Sequence, residues 1–209
     1  ICLHVGDHSN DVKRGDWQNS VDFCFWNYPL IELAGKTMGI VGMGSIGMAV
    51  SKIATALGMN IVYCTGSGKP KDCPYTHMTR DEVFRTADVL SLHCPLTPDT
   101  VNLIRRETID IMKDGCIIIN TSRGAVINEQ DLYEALISGK VYAAGVDVAS
   151  QEPINEDNPL LKAKNCVITP HIAWATEKAR SRLIDIAVNN LKCFLEGTPQ
   201  NVVNHVFLK

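Results

Sequence analysis

Short apolar runs alternate with helical patterns along most of the chain. Runs typical of buried strands occur at positions 38–41, 60–64, 89–93, 116–120, 142–146 and 167–169. Amphipathic stretches separate several of them, including 46–57, and a longer one covers 176–196. Parallel strands need crossover connections, for which helices are the usual solution. The pattern therefore predicts an α/β fold, a doubly wound parallel sheet of the Rossmann type with helices on both faces.

Three glycines follow the first predicted strand and stand directly before the first crossover helix. The segment 42–47 reads Gly-Met-Gly-Ser-Ile-Gly, which has the G-x-G-x-x-G spacing of a dinucleotide-binding turn. Here Gly42 permits a tight turn, Gly44 lets the backbone approach a pyrophosphate, and Gly47 lets the helix pack on the strand. The helix start supplies free N–H groups and a positive dipole end. The motif predicts that the chain binds NAD or NADP through Gly42, Gly44, Ser45, Ile46 and Gly47.

The segment that would meet the adenosine ribose contains no carboxylate. An acid about 20 residues after the glycines normally binds the ribose of NAD, whereas positions 63–69 read Tyr-Cys-Thr-Gly-Ser-Gly-Lys, and no acid occurs before position 72. Thr65 and Ser67 are candidate contacts, and Ser67, Lys69 and Lys71 could bind a 2′-phosphate. A solvated loop in an NAD-dependent protein is an equal alternative, so the sequence leaves NAD and NADP open.

Three charged or titratable residues come just after the C-terminal ends of predicted strands, namely Arg123, Glu152 and His171. Ligands of open α/β sheets bind at that edge. A guanidinium can hold a carboxylate through two hydrogen bonds, an imidazole can transfer a proton near neutral pH, and a nearby carboxylate favours the charged imidazole. Taken singly, an ion pair, a turn cap and a buried histidine would explain them. Their joint occurrence favours catalysis.

These segments resemble the D-isomer-specific 2-hydroxyacid dehydrogenases over nearly the whole chain. The resemblance includes positions 33–37 before the glycine turn, positions 92–97 after the third predicted strand, and the spacing of the three catalytic candidates. Segments 22–26 and 171–176 are most similar to the hydroxypyruvate reductase and glycerate dehydrogenase branch. The resemblance implies hydride transfer between NAD(P)H and a small 2-oxo or D-2-hydroxy acid, such as hydroxypyruvate, glyoxylate or D-glycerate.

The resemblance also implies roles for individual residues. Arg123 would bind the substrate carboxylate, His171 would exchange a proton with the substrate oxygen, and Glu152 would raise the pKa of His171. Trp174 would shape the substrate pocket, with a core position as an equal alternative. Further cofactor contacts would come from His93, Cys94, Pro95, Leu96, Thr121, Ser122, Arg123, Asp147 and His171.

Members of this family carry a substrate domain before the cofactor domain, and the sequence lacks a counterpart. We therefore expect one NAD(P)-binding domain over 1–209, with connectors at about 1–30 and 176–209, that binds cofactor but turns over poorly by itself. The aromatic residues Trp17, Phe23, Phe25 and Trp26 could cover the domain's own core or pack across a two-fold axis. The resemblance favours a homodimer.

The composition of the chain limits the classes of binding partner and the cellular compartment that we expect. A net charge of −3 without a basic stripe argues against nucleic acid and anionic membranes, and no apolar run reaches the roughly 18 residues of a membrane span. Eight cysteines without a CxxC pair indicate reduced thiols and, with no leader-like start, a cytoplasmic protein. His4 and His8 could share a helix face, but no third ligand is identifiable, so no metal is predicted.

Two other functions are compatible with the same residues. A dinucleotide-sensing interaction protein, such as a corepressor, could use this fold with a peptide-docking surface outside the cleft, although intact Arg123, Glu152 and His171 favour chemistry. A dehydrogenase of the same family that acts on phosphoglycerate or lactate is the second alternative. Fold alone does not distinguish these functions.

Overall fold

The computed structural model describes residues 1–203 and contains one seven-stranded parallel sheet. Its strands are β1 Thr37–Val41, β2 Asn60–Cys64, β3 Thr76–His77, β4 Val89–Leu92, β5 Cys116–Asn120, β6 Val141–Val146 and β7 Cys166–Ile168. They are arranged in the order β3-β2-β1-β4-β5-β6-β7, and every neighbouring pair is parallel. The predicted doubly wound parallel sheet is confirmed. The prediction missed β3, a two-residue edge strand.

Six α-helices accompany the sheet within the described residues. They are α1 Val5–Arg14, α2 Ser45–Ala56, α3 Arg80–Thr86, α4 Arg106–Asp110, α5 Glu129–Ser138 and α6 Glu177–Leu195. Local sequence sets several of their ends: Asn128 caps α5 by accepting the Asp131 N–H, and Gly139 ends that helix with a φ of 81°. The bounds of α5 are therefore set by its own capping residue and glycine.

The strand order reverses between β1 and β4. From β1 the chain continues through β2 to β3 on one side, and it then returns to build β4 to β7 on the other. Connections on the two sides of this switch point run in opposite directions, which opens a crevice at the carboxyl ends of the strands. The glycine turn after β1 and the His93 segment after β4 both lie at this crevice.

Apolar clusters cover both faces of the sheet. Alternate residues of a strand point to opposite faces, and accordingly Ile40 and Tyr63 belong to one buried cluster while Val41 and Leu90 belong to the other. Burial on both faces requires nearly continuous apolar strands. This requirement explains why the central strands are recognisable as apolar runs in the sequence.

The chain divides into two compact units. The first runs from Ile1 to Pro170 and contains the sheet with α1 to α5, and the second begins at His171 and contains α6. Along α6, large apolar side chains such as Leu183, Ile184 and Phe194 are more than half exposed. The predicted connector 176–209 extends past residue 203, so its end lies outside the described residues. Across residues 1–203, we find no helix with the length and apolar character needed to cross a membrane.

Candidate cofactor and substrate site

The glycine turn after β1 has the geometry that its motif requires. Gly42 adopts a φ of 101°, and a Cβ there would lie 2.7 Å from the His93 carbonyl oxygen. A Cβ on Gly47 would lie 2.4 Å from the Gly42 carbonyl oxygen, so α2 packs on the turn through bare backbone. By contrast, a Cβ on Gly44 would meet nothing within 4 Å. The protein's own packing requires Gly42 and Gly47, whereas the space at Gly44 is left open for a ligand.

The N-terminus of α2 faces this open space without an internal cap. Gly44 is the N-cap residue, no described side chain caps the helix, and its first turn contains no acid. The free N–H groups of the first turn and the positive end of the helix dipole therefore remain available to an anion. Ser45 and Ile46, the first helical residues, are exposed. The turn thus fits the pyrophosphate of a dinucleotide.

A cleft of about 520 Å³ adjoins the glycine turn. The loops after β1, β4 and β5 line it, with Ile46, His93, Cys94, Pro95, Leu96, Thr121, Ser122 and Arg123. Every one of these residues was predicted from the sequence as a cofactor contact. The structure therefore brings together, around one cleft, residues that are up to 77 positions apart in the range from Ile46 to Arg123.

The His93 side of the cleft is uncharged at neutral pH. The Ser91 Oγ lies 2.9 Å from the His93 Nε2, and burial lowers the pKa of His93 below its ordinary value. Burial likewise raises the pKa of the Cys94 thiol. The imidazole and the thiol are therefore both neutral at pH 7. This wall suits the uncharged parts of a dinucleotide.

Asn120 shapes the loop that carries Arg123, a role the sequence analysis missed. The buried Asn120 Oδ1 accepts the backbone N–H and the hydroxyl of Ser122, at 2.9 and 2.8 Å, and its Nδ2 donates to the Arg123 carbonyl at 2.9 Å. The Arg123 Nη1 donates to the Ser122 carbonyl, and the guanidinium forms no ion pair with any residue in 1–203. A fixed backbone with an unpaired guanidinium can bind a carboxylate.

Asp147 lies buried just after β6 and is tied to both neighbouring strands. Its backbone N–H donates to the Asn120 carbonyl at 2.9 Å, and its Oδ1 accepts the Thr169 hydroxyl at 2.6 Å. Thr169 was not among the predicted site residues, because a threonine after a strand carries no distinctive signal. These bonds fix the position of the Asp147 carboxylate at the carboxyl edge of the sheet.

The loop that carries Glu152 contacts the loop that carries Arg123. The Glu152 Oε1 accepts the Ala149 N–H at 3.1 Å, which closes the turn 149–152. A Cβ on Gly124 would lie 1.9 Å from the Ala149 carbonyl carbon, so the backbone after Arg123 rests directly on this turn. Two of the three predicted catalytic residues therefore belong to loops in direct contact within the first unit.

The third predicted catalytic residue, His171, begins the second unit. Its backbone adopts a φ of 55°, and its carbonyl accepts the Trp174 indole N–H at 2.9 Å. Trp174 itself is 53% exposed, so the alternative that it is a core aromatic is wrong. The positive φ and the indole bond define the backbone turn on which His171 sits.

Hydrogen bonds hold the loop after β2 against the end of that strand. The Tyr63 hydroxyl accepts the Lys71 N–H at 2.8 Å, the Thr65 hydroxyl donates to the Lys69 carbonyl at 2.8 Å, and the Ser67 Oγ accepts the Lys69 N–H at 3.3 Å. The Lys69 and Lys71 ammonium groups form no ion pair within residues 1–203. The part of this loop before Asp72 thus offers two unpaired cations and no acid to the predicted ribose contact.

Metal and disulfide chemistry find no support in the described part of the chain. No group of three His, Cys, Asp or Glu residues among positions 1–203 could hold a metal ion. Both ring nitrogens of His4 are within hydrogen-bond distance of protein oxygens, of Asp7 at 3.1 Å and of the Tyr142 hydroxyl at 3.2 Å. All eight cysteines lie in this part and are free thiols.

Comparison with known proteins gives a family match and two relatives of similar description. Residues 1–173 match the family model described as the NAD binding domain of D-isomer specific 2-hydroxyacid dehydrogenases. A hydroxypyruvate reductase from Blautia hydrogenotrophica is 56% identical over 98% of this chain and 64% of its own length. A glycerate dehydrogenase from Methylorubrum extorquens is 41% identical over 94% of this chain and 62% of its own length.

A solved structure has the same fold. The TT0316 protein from Thermus thermophilus superposes with a TM-score of 0.84 and 40% identity, covering 96% of this chain and 62% of that one. The chain thus spans a little under two thirds of the length of the relatives it matches. Because the matched family model describes an NAD binding domain, the cofactor of this domain is a nicotinamide dinucleotide. The chain therefore belongs to the D-isomer-specific 2-hydroxyacid dehydrogenase family, as the resemblance of its sequence implied.

Proposed function

We propose that the chain binds NAD(P)H at the cleft next to the glycine turn and serves the reversible reduction of a 2-oxo acid to a D-2-hydroxy acid. Hydroxypyruvate and glyoxylate reduction, or D-glycerate oxidation, are the reactions proposed. One observation carries the proposal: a single cleft joins the glycine turn, the His93 segment and the unpaired Arg123. The names of the hydroxypyruvate reductase and glycerate dehydrogenase relatives support the substrate class.

The chain's own residues divide the chemistry into binding and proton transfer. When bound, the reduced nicotinamide supplies a hydride to the C2 carbon of the oxo acid. Arg123 binds the substrate carboxylate, and protonated His171 gives its proton to the C2 oxygen, so that the product is a neutral hydroxyl. Glu152 orients the imidazole for this transfer. In oxidation His171 takes the proton back.

A steady-state assay tests this proposal. The complete gene product that contains this chain is mixed with NADH or NADPH and, in turn, hydroxypyruvate, glyoxylate, phosphohydroxypyruvate and pyruvate. We expect hydroxypyruvate or glyoxylate to give the highest kcat/KM, and Arg123→Gln to lower it by about a hundredfold or more, since a charged bidentate contact is lost. Cofactor binding without turnover of any oxo acid would favour a dinucleotide-sensing interaction protein. Preference for pyruvate or phosphohydroxypyruvate would favour the lactate- or phosphoglycerate-type alternative.

For the cofactor, we propose that NADPH binds more tightly than NADH. The loop after β2 offers Ser67, Lys69 and Lys71, and no acid that would repel a 2′-phosphate occurs in it before Asp72. A further cation, Arg80, is the first residue of α3, and its charge opposes the rise to about 11 that burial causes in the pKa of the Cys64 thiol at the end of β2. A Lys69→Glu and Lys71→Glu double variant should reverse the preference. Equal NADPH affinity in this variant and the wild type would refute it.

For the assembly, we propose a homodimer in a reducing, cytoplasmic compartment, with a substrate domain supplied by residues outside these 209. Trp17, Phe23 and Trp26 are each more than half exposed in the described chain, which supports a second copy as the partner of this segment. Eight free thiols support a reducing compartment. Light scattering on the complete gene product should return the mass of a dimer, and a monomer at high concentration would contradict this assignment.

A further inference from the structure

The carboxylate of Glu129 accepts hydrogen bonds from the turn that carries Glu152. The Oε1 of Glu129 accepts the Ser150 backbone N–H at 2.8 Å, and the Oε2 accepts the Ser150 hydroxyl at 2.5 Å. The Oε2 also accepts the side-chain amide of the buried Asn158 at 3.0 Å. Both oxygens of the half-buried Glu129 thus accept hydrogen bonds from residues of the segment 150–158.

Glu129 also stands a few residues after Arg123 on one short, well-fixed segment. A 3₁₀ turn, Gly124–Val126, follows Arg123, and Asn128 then caps α5, of which Glu129 is the first residue. Gly124 packs on the peptide between Ala149 and Ser150, and the Glu129 carboxylate accepts the N–H of that same peptide. The segment therefore holds the Glu152 turn at two points, by contact and by hydrogen bonds.

A simpler explanation of Glu129 is the helix dipole, since acids are favourable in the first turn of a helix. That explanation requires only a carboxylate near the helix start. Asp131 satisfies it in the same turn, with its Oδ2 accepting the Arg106 N–H at 2.9 Å. The dipole does not account for three hydrogen bonds that converge on Glu129 from another loop. Charge-assisted bonds of this kind fix geometry as well as contribute energy.

We propose that Glu129 is a positioning residue that fixes the Glu152 turn relative to Arg123. The inference rests on the proposed function, in which Glu152 assists proton transfer by His171. A displaced Glu152 would assist that transfer less well, so kcat for reduction should fall. The KM for the oxo acid should change little, since Arg123 binds the substrate carboxylate. Glu129 acts on the reaction through Glu152, without touching substrate or cofactor.

The test is a double-mutant cycle on the complete gene product. Hydroxypyruvate reduction is followed over a series of substrate concentrations in the wild type, Glu129→Gln, Glu152→Gln and the double variant, with Asp131→Asn as the matched control for loss of a first-turn charge. We expect Glu129→Gln to lower kcat by about tenfold, since small misplacements at a catalytic group cost up to about a hundredfold. The KM for hydroxypyruvate should stay within about twofold of wild type, whereas a general loss of structure at the Arg123 loop would raise it.

Three further outcomes are expected. Asp131→Asn keeps the wild-type kcat, NADPH affinity in Glu129→Gln stays within about twofold of wild type, and Glu129→Gln has no added effect in the Glu152→Gln background. Ser150→Ala, which removes one donor, is the milder second variant and should lower kcat by a smaller factor. A full additive loss in the double variant, or an unchanged kcat in Glu129→Gln, overturns the inference. An unchanged kcat in Glu152→Gln instead overturns the proposed role of Glu152 itself.

Discussion

Substituting Gly124 by alanine should destabilise the chain more than any other simple glycine substitution near the site. The new Cβ would lie 1.9 Å from the Ala149 carbonyl carbon, 2.0 Å from its oxygen and 2.3 Å from the Ser150 nitrogen. Nonbonded carbons approach to about 3.5 Å, so the backbone must retreat by more than 1 Å. No flexible side chain is available to yield, because all three atoms are backbone.

The size of the effect follows from the contacts that this retreat disturbs. Overpacking in a close-packed region costs about 1–3 kcal/mol. Weakening the hydrogen bonds from Ser150 to the Glu129 carboxylate adds about 1 kcal/mol or more. We therefore expect the free energy of unfolding to fall by about 3 kcal/mol, which corresponds to a loss of roughly 6–12 °C in Tm for a chain of this size.

Urea unfolding of this chain, followed by circular dichroism, measures the difference. Gly145→Ala is the matched control, since its Cβ would meet only the ends of two flexible side chains, Ile119 at 3.1 Å and Ile1 at 3.5 Å. That control should cost less than about 1 kcal/mol. If Gly124→Ala costs no more than Gly145→Ala, the two loops are not in the contact described, and the argument from Gly124 to a shared site fails.

Three more predictions follow from single residues. Gly44→Ala should change the free energy of unfolding by less than about 0.5 kcal/mol, because its Cβ enters open space, yet weaken NADH binding about tenfold or more in a fluorescence titration. Burial alone would raise the pKa of Asp88, but the Thr37 N–H bond and the Lys113 ammonium hold it below its usual value. The ionised Asp88 therefore stabilises the fold above its unfolded pKa of about 3.9, and this stabilisation is lost as the pH falls through the lowered folded pKa. In urea unfolding, Asp88→Asn should be less stable than wild type at pH 7 and equal to it in strong acid. Iodoacetamide followed by mass spectrometry at about pH 8 should label the exposed Cys24 and spare the buried Cys64 until urea unfolds the chain.

The sequence was informative wherever a local rule determines the structure. Central strands buried on both faces must be apolar throughout, so β1 could be located from its apolar run. A turn whose backbone closely approaches a neighbouring loop must use glycine, so Gly42 could be located from its motif. Arg123, Glu152 and His171 were recognisable because each follows a strand end. Their catalytic roles stay predictions, since the structure gives their places and not their chemistry.

What the sequence could not give depends on contacts between distant segments. The edge strand β3 is too short to produce a periodic signal. Asn120 ends an apolar run and has no motif, yet its side chain shapes the Arg123 loop. Glu129 has the sequence signature of an ordinary first-turn acid, and only the fold brings Ser150 and Asn158 to its carboxylate. Such roles are properties of tertiary structure and leave no local pattern.

Dinucleotide binding by this chain is the most direct test of the central claim. NADPH and NADH are titrated separately into the purified chain while nicotinamide fluorescence is followed, with Gly44→Asp as the control that places a negative charge at the open space beside α2. We predict saturable binding of both, tighter for NADPH, and its loss in Gly44→Asp. Absence of binding in the wild type, or binding unchanged in Gly44→Asp, would contradict the assignment of the cleft as the cofactor site.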